Sequence, residues 1–329
     1  MPISVEYEAA RSGVALMQRP WRTLVSVEGD GRDGFLQGML SNEIRDLAAG
    51  DGCRALLLDN KGKVQVDIDL WVESEAIIMA CDAVAVDDAL DNLRKYVLAT
   101  PVQFHKLEGK HLVMALIGPE ANELLEGAGV DSPPGTSYGH GKVSVAGVEV
   151  RLARTAALSP EGLEIHVPSG SLDTVVAALR GAAAGELPDV GEEAAEVLRV
   201  EAGWPRQGCE ITGEQFPQEA RLDDAISYDK GCYLGQETVA RIHYRGSVNR
   251  LLSGFRLREP VARGAGLFAQ EREVGEITSV AVSPSLGPIG LGYVRSDLAG
   301  AGTALTVRTD DGESLTAEVF DLPFQPEGE

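Results

Sequence analysis

Residues 230–246, Lys-Gly-Cys-Tyr-Leu-Gly-Gln-Glu-Thr-Val-Ala-Arg-Ile-His-Tyr-Arg-Gly, gather most of the side chains in this sequence that could do chemistry. A thiol (Cys232), an amide–acid pair (Gln236, Glu237), an imidazole (His243) and two phenols (Tyr233, Tyr244) stand among Lys230, Arg241 and Arg245. Gly235 marks a helix entry, with Gln236 to Arg241 forming a short helix after it. Cys232 then lies just upstream of a helix N-terminus and beside Lys230. The helix dipole and the ammonium both favour thiolate there. Two readings stand: a reactive thiol, or a buried structural cysteine in a glycine-rich loop.

The remaining cysteines are Cys53, Cys81 and Cys209, and none of the four forms a C-x-x-C pair. With no histidine cluster to complete a tetrahedral set, a metal site held by this chain alone is not expected. Cys53 and Cys81 lie in strand-like apolar runs and read as core. The net charge is −22, and so acidic a surface repels phosphate backbones, which argues against direct nucleic-acid binding. Locally the sign inverts. Lys230, Arg241, Arg245 and Arg250 face Glu237 alone within that stretch, a basic spot suited either to a small anion or to ion pairs with Asp223, Asp224 and Asp229. No apolar run approaches the roughly eighteen residues of a membrane span. The acidic N-terminus lacks the apolar stretch of a signal peptide, so a cytoplasmic protein is expected.

The elements that must position these groups alternate. Residues 23–28 read as a strand, 32–40 as a helix and 53–58 as a strand. Asp59-Asn60-Lys61-Gly62 has turn chemistry. From Lys63 to Val72 the pattern alternates: Val64, Val66, Ile68, Leu70 and Val72 face one way, Gln65, Asp67, Asp69 and Trp71 the other. Taken alone, that second face reads as a solvated sheet surface. A helix over 84–96, strands near 101–105 and 111–117, a short helix after Gly118-Pro119, a loop at 131–141, strands at 143–152 and 163–167 and a helix over 171–182 follow. Strands often adjacent in pairs predict an α+β chain with ferredoxin-like units rather than a doubly wound sheet.

Residues 189–205 form a further helix, with Asp189 and Glu192 as a capping pair and Gly203 and Pro205 at its end. Ala194, Val197 and Leu198 make an apolar stripe, and Glu201 falls on the same face. A carboxylate there is costly unless bonded. It either pairs with an arginine such as Arg199 or Arg206, sits where the stripe meets water, or receives a ligand. One carboxylate can accept two parallel donors from a flat ring. Beyond Gly246 the texture changes to short strands divided by glycine turns, at 251–257, 274–282, 289–294, 303–308 and 315–320, which read as an antiparallel barrel or sandwich.

Lys230-Gly231-Cys232-Tyr233-x-Gly235-Gln236-Glu237 resembles the signature of the YgfZ-type folate-binding proteins, relatives of the glycine cleavage aminomethyltransferase (T-protein). Arg199-Val200-Glu201-Ala202-Gly203 resembles the Arg-x-Glu-x-Gly segment of the aminomethyltransferases. Leu58-Asp59-Asn60-Lys61-Gly62-Lys63-Val64 followed by Asp67 resembles the segment where those enzymes carry Asp-Asp. Val274 to Ser279 with Ser283-Pro284-Ser285-Leu286-Gly287 resembles their C-terminal domain.

The resemblance implies a multi-domain aminomethyltransferase-like fold, with ferredoxin-like α/β units around a central folate cavity and a C-terminal antiparallel β-barrel. It places a folate-binding region at 1–246, in two subdomains of about 1–110 and 111–246, and the barrel at 247–329. It implies tetrahydrofolate or a one-carbon derivative as ligand, Glu201 holding the pterin, and iron–sulfur proteins or their assembly factors as partners. Cys232 and Asp67 become the candidate catalytic groups. Arg199, Lys230, Tyr233, Gln236 and Arg241 join Glu201 as candidate folate-binding groups. Only one acid of the pair, Asp67, appears in register, with Val66 beside it, which counts against aminomethyl transfer. A folate-binding accessory of iron–sulfur enzymes and a folate-dependent aminomethyl or methyl transferase are both open on the sequence.

Overall fold

The structure is a computed structural model that describes residues 3–131, 133–155, 162–308 and 314–324. The chain divides into two compact units: Met1–Lys61, Gln65–Gly191 and Asp224–Gln236 form the first, and Gly62–Val64, Glu192–Asp223 and Glu237–Glu329 the second.

The first unit opens with α1 (Ile3–Ser12), β1 (Ala15–Gln18), β2 (Arg22–Glu28), α2 (Arg32–Met39), β3 (Gly52–Leu58), β4 (Val64–Val72), β5 (Ala76–Asp82), α3 (Val86–Arg94) and β6 (Gln103–Lys106). It continues with β7 (His111–Ile117), α4 (Ala121–Gly127), β8 (His140–Val145), β9 (Val148–Arg154), β10 (Leu163–Pro168) and α5 (Leu172–Ala182). The strands make two sheets of five, ordered β3-β4-β5-β2-β6 and β1-β7-β10-β9-β8. Val66, Ile68, Leu70 and Val72 of β4 pack with Phe35, Leu36 and Met39 of α2 and Leu90 and Leu93 of α3. Leu116, Leu152 and Ile165 of the other sheet pack with Leu124 and Leu125 of α4 and Leu179 of α5. The faces left over meet each other: Trp71 of β4 shares a cluster with Val113 of β7 and Ala153 of β9. The unit is therefore layered helix–sheet–sheet–helix.

That layering corrects one expectation. The face of Gln65, Asp67, Asp69 and Trp71 is not solvated, because the second sheet covers it. Trp71 is fully buried and Asp69 is 4% exposed. The stretch 143–152 also differs: it is a hairpin of β8 and β9, turned at Ala146 (φ 51) and Gly147 (φ 79). Consecutive left-handed residues form the turn whose twist matches paired strands. Asp189 does not cap the next helix. Its Oδ2 accepts from Arg180 Nη2 at 2.5 Å. The helix α1 and the strand β1 correspond to nothing expected from the sequence.

The second unit contains α6 (Glu192–Glu201), most of α7 (Gln236–Arg245), β11 (Arg250–Leu257), β12 (Gly266–Ala269), β13 (Arg272–Ser283), β14 (Gly287–Arg295), β15 (Ala304–Arg308) and β16 (Ser314–Phe320). Its six strands close into a barrel in the order β11-β14-β13-β12-β15-β16, which removes free sheet edges. Phe255, Leu267, Ile277, Val307 and Val319 fill it. This unit takes in 192–223 as well as the barrel strands, a different division from the boundary at 246. Among the described residues no helix is long and apolar enough to cross a membrane.

Candidate functional site

The signature loop is held by carbonyls in the last turn of α2 and just past it. Ser227 N donates to Ser41 O at 3.0 Å and Leu234 N to Gly38 O at 3.2 Å. Ser41 Oγ donates to Ala225 O at 2.6 Å. Lys230 completes the attachment, its Nζ lying 2.7 Å from Leu40 O and 2.5 Å from Asn42 O. A cation suits these acceptors because carbonyls past a helix C-terminus carry the negative end of its dipole. Burial pushes the Lys230 amine down to about 8, against the pull of Glu43. Lys230 thus fastens the loop, with its ammonium turned to main-chain oxygens. Tyr233 is buried beside it, with the ring centroid 5.2 Å from Nζ. Between these two anchored side chains Cys232 is exposed, which removes the reading of a buried structural cysteine. Cys53 and Cys81, by contrast, are packed into the core, where burial pushes both thiols up to about 12.

Asp67 is met by a partner the sequence did not suggest. Arg54 Nε donates to Oδ1 at 2.8 Å and Nη2 to Oδ2 at 2.6 Å. The guanidinium is 3% exposed, and its Nη1 also lies 3.4 Å from Asp224 Oδ2. A planar fork on both carboxylate oxygens is the strongest arrangement available to such a pair. Two residues along, Asp69 is ion-paired with Arg22, yet burial pushes its carboxyl up to about 6. Tyr138 brings a buried hydroxyl with no hydrogen-bond partner among the described residues.

The same inter-sheet layer holds Glu164 and His166, both essentially without exposure. His166 Nε2 is 3.0 Å from Glu164 Oε2, and Nδ1 is 3.3 Å from Arg151 Nη1. An arginine can only donate, so Nδ1 accepts and Nε2–H donates to the carboxylate. This is a neutral imidazole, and burial pushes it down to about 4.

In the second unit α6 presents two residues singled out by sequence. Arg199 is 5% exposed. Its nitrogens reach Glu196 Oε2 at 2.9 Å and Oε1 at 2.7 Å, Trp204 O at 2.6 Å, Glu210 Oε2 at 3.0 Å and Ser279 Oγ at 2.6 Å. Five donors meet five acceptors within the fold, so Arg199 braces α6. Glu210, fully buried, answers it and also accepts from Thr278 Oγ1 at 2.7 Å and Ser279 Oγ at 2.6 Å.

Glu201 is 3% exposed, so it does not sit where the stripe meets water. Ser283 Oγ donates to its Oε1 at 2.5 Å. Ser283 Oγ in turn accepts from the amides of Ser285 at 3.1 Å and Leu286 at 3.0 Å. The main chain of Glu201 is fixed too, its carbonyl accepting from Phe324 N at 2.8 Å. The hydroxyl of Ser283 orients the buried carboxylate of Glu201. Arg241, on α7, is exposed, and Gln236 opens that helix half-buried. The structure thus brings Cys232, Lys230 and Tyr233 together on one loop. It places Asp67 under Arg54, and Glu201 beside Ser283. Arg54, Glu210 and His166 were not singled out from the sequence, since no local periodicity pairs them with the groups they meet. Among the described residues no group of three or more His, Cys, Asp or Glu is arranged to hold a metal ion.

Comparison with known proteins gives the architecture a family. The GCVT N-terminal domain model matches residues 2–230, and the glycine cleavage T-protein C-terminal barrel domain model matches 250–325. A chloroplastic protein of Arabidopsis thaliana, named as a transferase, is 27% identical over 320 residues, which cover 96% of this chain and 72% of that one. An aminomethyltransferase of Mycobacterium leprae is 30% identical over 339 residues, covering 98% of this chain and 90% of that one. The crystal structure of the glycine cleavage system aminomethyltransferase T from Bartonella henselae shares the fold. The TM-score is 0.89 at 24% identity, over 99% of this chain and 90% of that one. With both domain models in order along one chain and relatives aligned almost end to end, this protein belongs to the family of the glycine cleavage T-protein, the aminomethyltransferases.

Proposed function

We propose that this protein is a tetrahydrofolate-binding member of its family that serves the assembly or maintenance of iron–sulfur enzymes, with Cys232 as its essential thiol. The observation that carries the choice of binding over transfer is the Arg54 fork on Asp67. Aminomethyl transfer asks a carboxylate near the reactive edge of the folate to handle a proton. Both oxygens of Asp67 are engaged by a buried guanidinium, which ties the carboxylate to the fold instead of turning it to a ligand.

The ligand side of the reading rests on Glu201. A pterin ring presents an amino group next to a ring N–H, and a buried, oriented carboxylate is the chemical complement of that pair. The chemistry of this acceptor fits the ligand, and the pterin would be held there. The iron–sulfur role rests on the likeness of 230–237 to the signature described above, together with the exposure of Cys232.

The second reading, aminomethyl transfer, is favoured by the 30% identity to an aminomethyltransferase over nearly the whole chain. It would require Arg54 to release Asp67 during turnover. The two are separated by measuring tetrahydrofolate affinity and methylene transfer from an aminomethylated lipoyl carrier on the same preparation. The binding reading expects tetrahydrofolate to bind, Glu201→Ala to weaken it by about a hundredfold for two charge-assisted hydrogen bonds, and no transfer above background. Equal affinity in wild type and Glu201→Ala sinks the pterin assignment. Transfer that is lost on Asp67→Asn sinks the choice of binding over catalysis. In cells depleted of the protein, iron–sulfur enzyme activity should return with the wild-type chain and not with Cys232→Ser.

A further inference from the structure

Among the described residues Tyr138 carries the one buried side-chain hydroxyl with no hydrogen-bond partner. Elsewhere in the fold such groups are answered. Tyr293 OH donates to Glu210 O at 2.9 Å, Ser41 Oγ to Ala225 O at 2.6 Å and Thr278 Oγ1 to Glu210 Oε1 at 2.7 Å. A buried hydroxyl left unmatched lowers the stability of the free protein, and such an exception calls for a reason.

The main chain at Tyr138 is strained as well. Its φ of 57° is left-handed, a conformation that a residue with a Cβ adopts only where its surroundings impose it. Here they do. Gly139 N donates to Thr136 O at 2.9 Å, His140 N to Gly50 O at 3.0 Å and Arg154 N to Gly139 O at 2.9 Å. On its other side the loop presses on β3. A Cβ at Gly52 would lie 2.6 Å from Tyr138 O, 2.3 Å from Leu70 O and 2.8 Å from Trp71 Cδ1, so only glycine admits this approach. The loop therefore sits where the start of β3 meets β4, the strand that carries Asp67 and Asp69. The hydroxyl feels the charges of Asp69, Arg54, Asp67 and Asp224. Burial first, and the carboxylates after it, push the phenol up. The hydroxyl thus keeps its proton and is a donor at neutral pH. A strained main chain and an unmatched donor on one residue mark a position kept for binding at the expense of stability.

We propose that Tyr138 is a ligand-contact residue: its hydroxyl donates to an acceptor of the bound ligand, a ring carbonyl or ring nitrogen, beside Asp67 and Asp69. This rests on the reading of the chain as a tetrahydrofolate-binding protein and adds to it a contact in the first unit. The hydroxyl then lowers stability in the free protein and strengthens the complex, so its removal acts with opposite sign in the two states. A hydroxyl bonded within the fold, or to a buried water, behaves differently: its removal lowers stability with or without ligand.

The experiment uses the full chain with tetrahydrofolate as probe. It measures the melting temperature without ligand and the dissociation constant by titration calorimetry. Free Tyr138→Phe should melt about 2–4 °C above wild type, for the removal of an unmatched buried donor. It should bind tetrahydrofolate about fivefold to tenfold more weakly, for one lost hydrogen bond. Tyr293→Phe, which deletes a hydroxyl already bonded at 2.9 Å, should melt below wild type and so fixes the sign expected of a structural tyrosine. Equal affinity of wild type and Tyr138→Phe for tetrahydrofolate overturns the contact and leaves the folate reading standing. Free Tyr138→Phe melting at or below wild type also overturns it, since the hydroxyl is then matched in the free protein. Wild type that binds no tetrahydrofolate overturns the folate reading and the contact with it.

Discussion

Replacing Lys230 by methionine isolates what fastens the signature loop. Methionine fills similar volume and cannot donate, so Leu40 O and Asn42 O lose the ammonium that approaches them at 2.7 and 2.5 Å. A hydrogen bond from a charged donor is worth about 1.5–3 kcal/mol net. Two are lost, but burial already disfavours this ammonium enough to bring its pKa down to about 8, and methionine is relieved of that cost. The difference is a loss of about 2–3 kcal/mol, confined to the contact between 225–236 and 38–42. Global unfolding of a chain with two units is a poor gauge of so local a change. Native-state hydrogen exchange is the suitable assay, read at Ser227 and Leu234, whose amides donate to Ser41 O and Gly38 O. Their protection should fall by about 30- to 150-fold while amides of the barrel strands keep theirs. Protection at Ser227 and Leu234 within about twofold of wild type would refute the idea that Lys230 holds the loop. It would return the ammonium to the list of groups available for a ligand.

Two further outcomes follow from buried groups. His166 is held neutral, with its folded pKa near 4 against about 6.5 when unfolded. The unfolded chain therefore takes up a proton that the folded one refuses, and the stability this residue supports is full above pH ~6.5 and is lost as pH falls toward ~4. Relative to His166→Gln, wild type should lose about 3 kcal/mol of its advantage across that window in denaturant titrations; parallel curves would show that the imidazole is not the cause. In the barrel, a Cβ at Gly275 would lie 2.0 Å from Tyr293 O and 2.9 Å from Val294 Cα. Gly275→Ala should cost at least about 2–3 kcal/mol by overpacking. Gly181→Ala, in α5 with nothing within 4 Å, should gain about 0.5–1 kcal/mol from better helix propensity. Equal melting temperatures for the two variants would contradict this account.

How far the sequence could be read is clearest along β4. The alternation from Val64 to Val72 announces a strand and identifies the face that packs on α2 and α3, because apolar burial leaves a period-two imprint. The opposite face carries Asp67 and Asp69, and local pattern assigns acids to water. Their true surroundings depend on Arg54, thirteen residues away, on Arg22, forty-seven away, and on a second sheet. No periodicity records such partners. The same holds at α6. The stripe of Ala194, Val197 and Leu198 correctly predicts that Glu201 is buried, whereas Ser283, eighty-two residues further on, is found only once the barrel turn is folded beside it. Gly235 marks the entry to α7 because helix starts are local events. Lys230 was legible as a cation, but its acceptors, backbone oxygens nearly two hundred residues earlier, were not. The hairpin of β8 and β9 was missed because Ala146 hides a left-handed turn that glycine alone would have advertised.

The second unit also bears on how this architecture can be cut and recombined. Similarity to the C-terminal barrel model begins at residue 250, but the compact unit that holds the barrel also takes in 192–223. A fragment started at that similarity boundary would strip Ser279 and Ser283 of their glutamates, Tyr293 of the Glu210 carbonyl and Phe324 of the Glu201 carbonyl. The barrel is thus no interchangeable cassette. Any ancestral fusion, graft or circular rearrangement that moved it intact had to bring the preceding helix along.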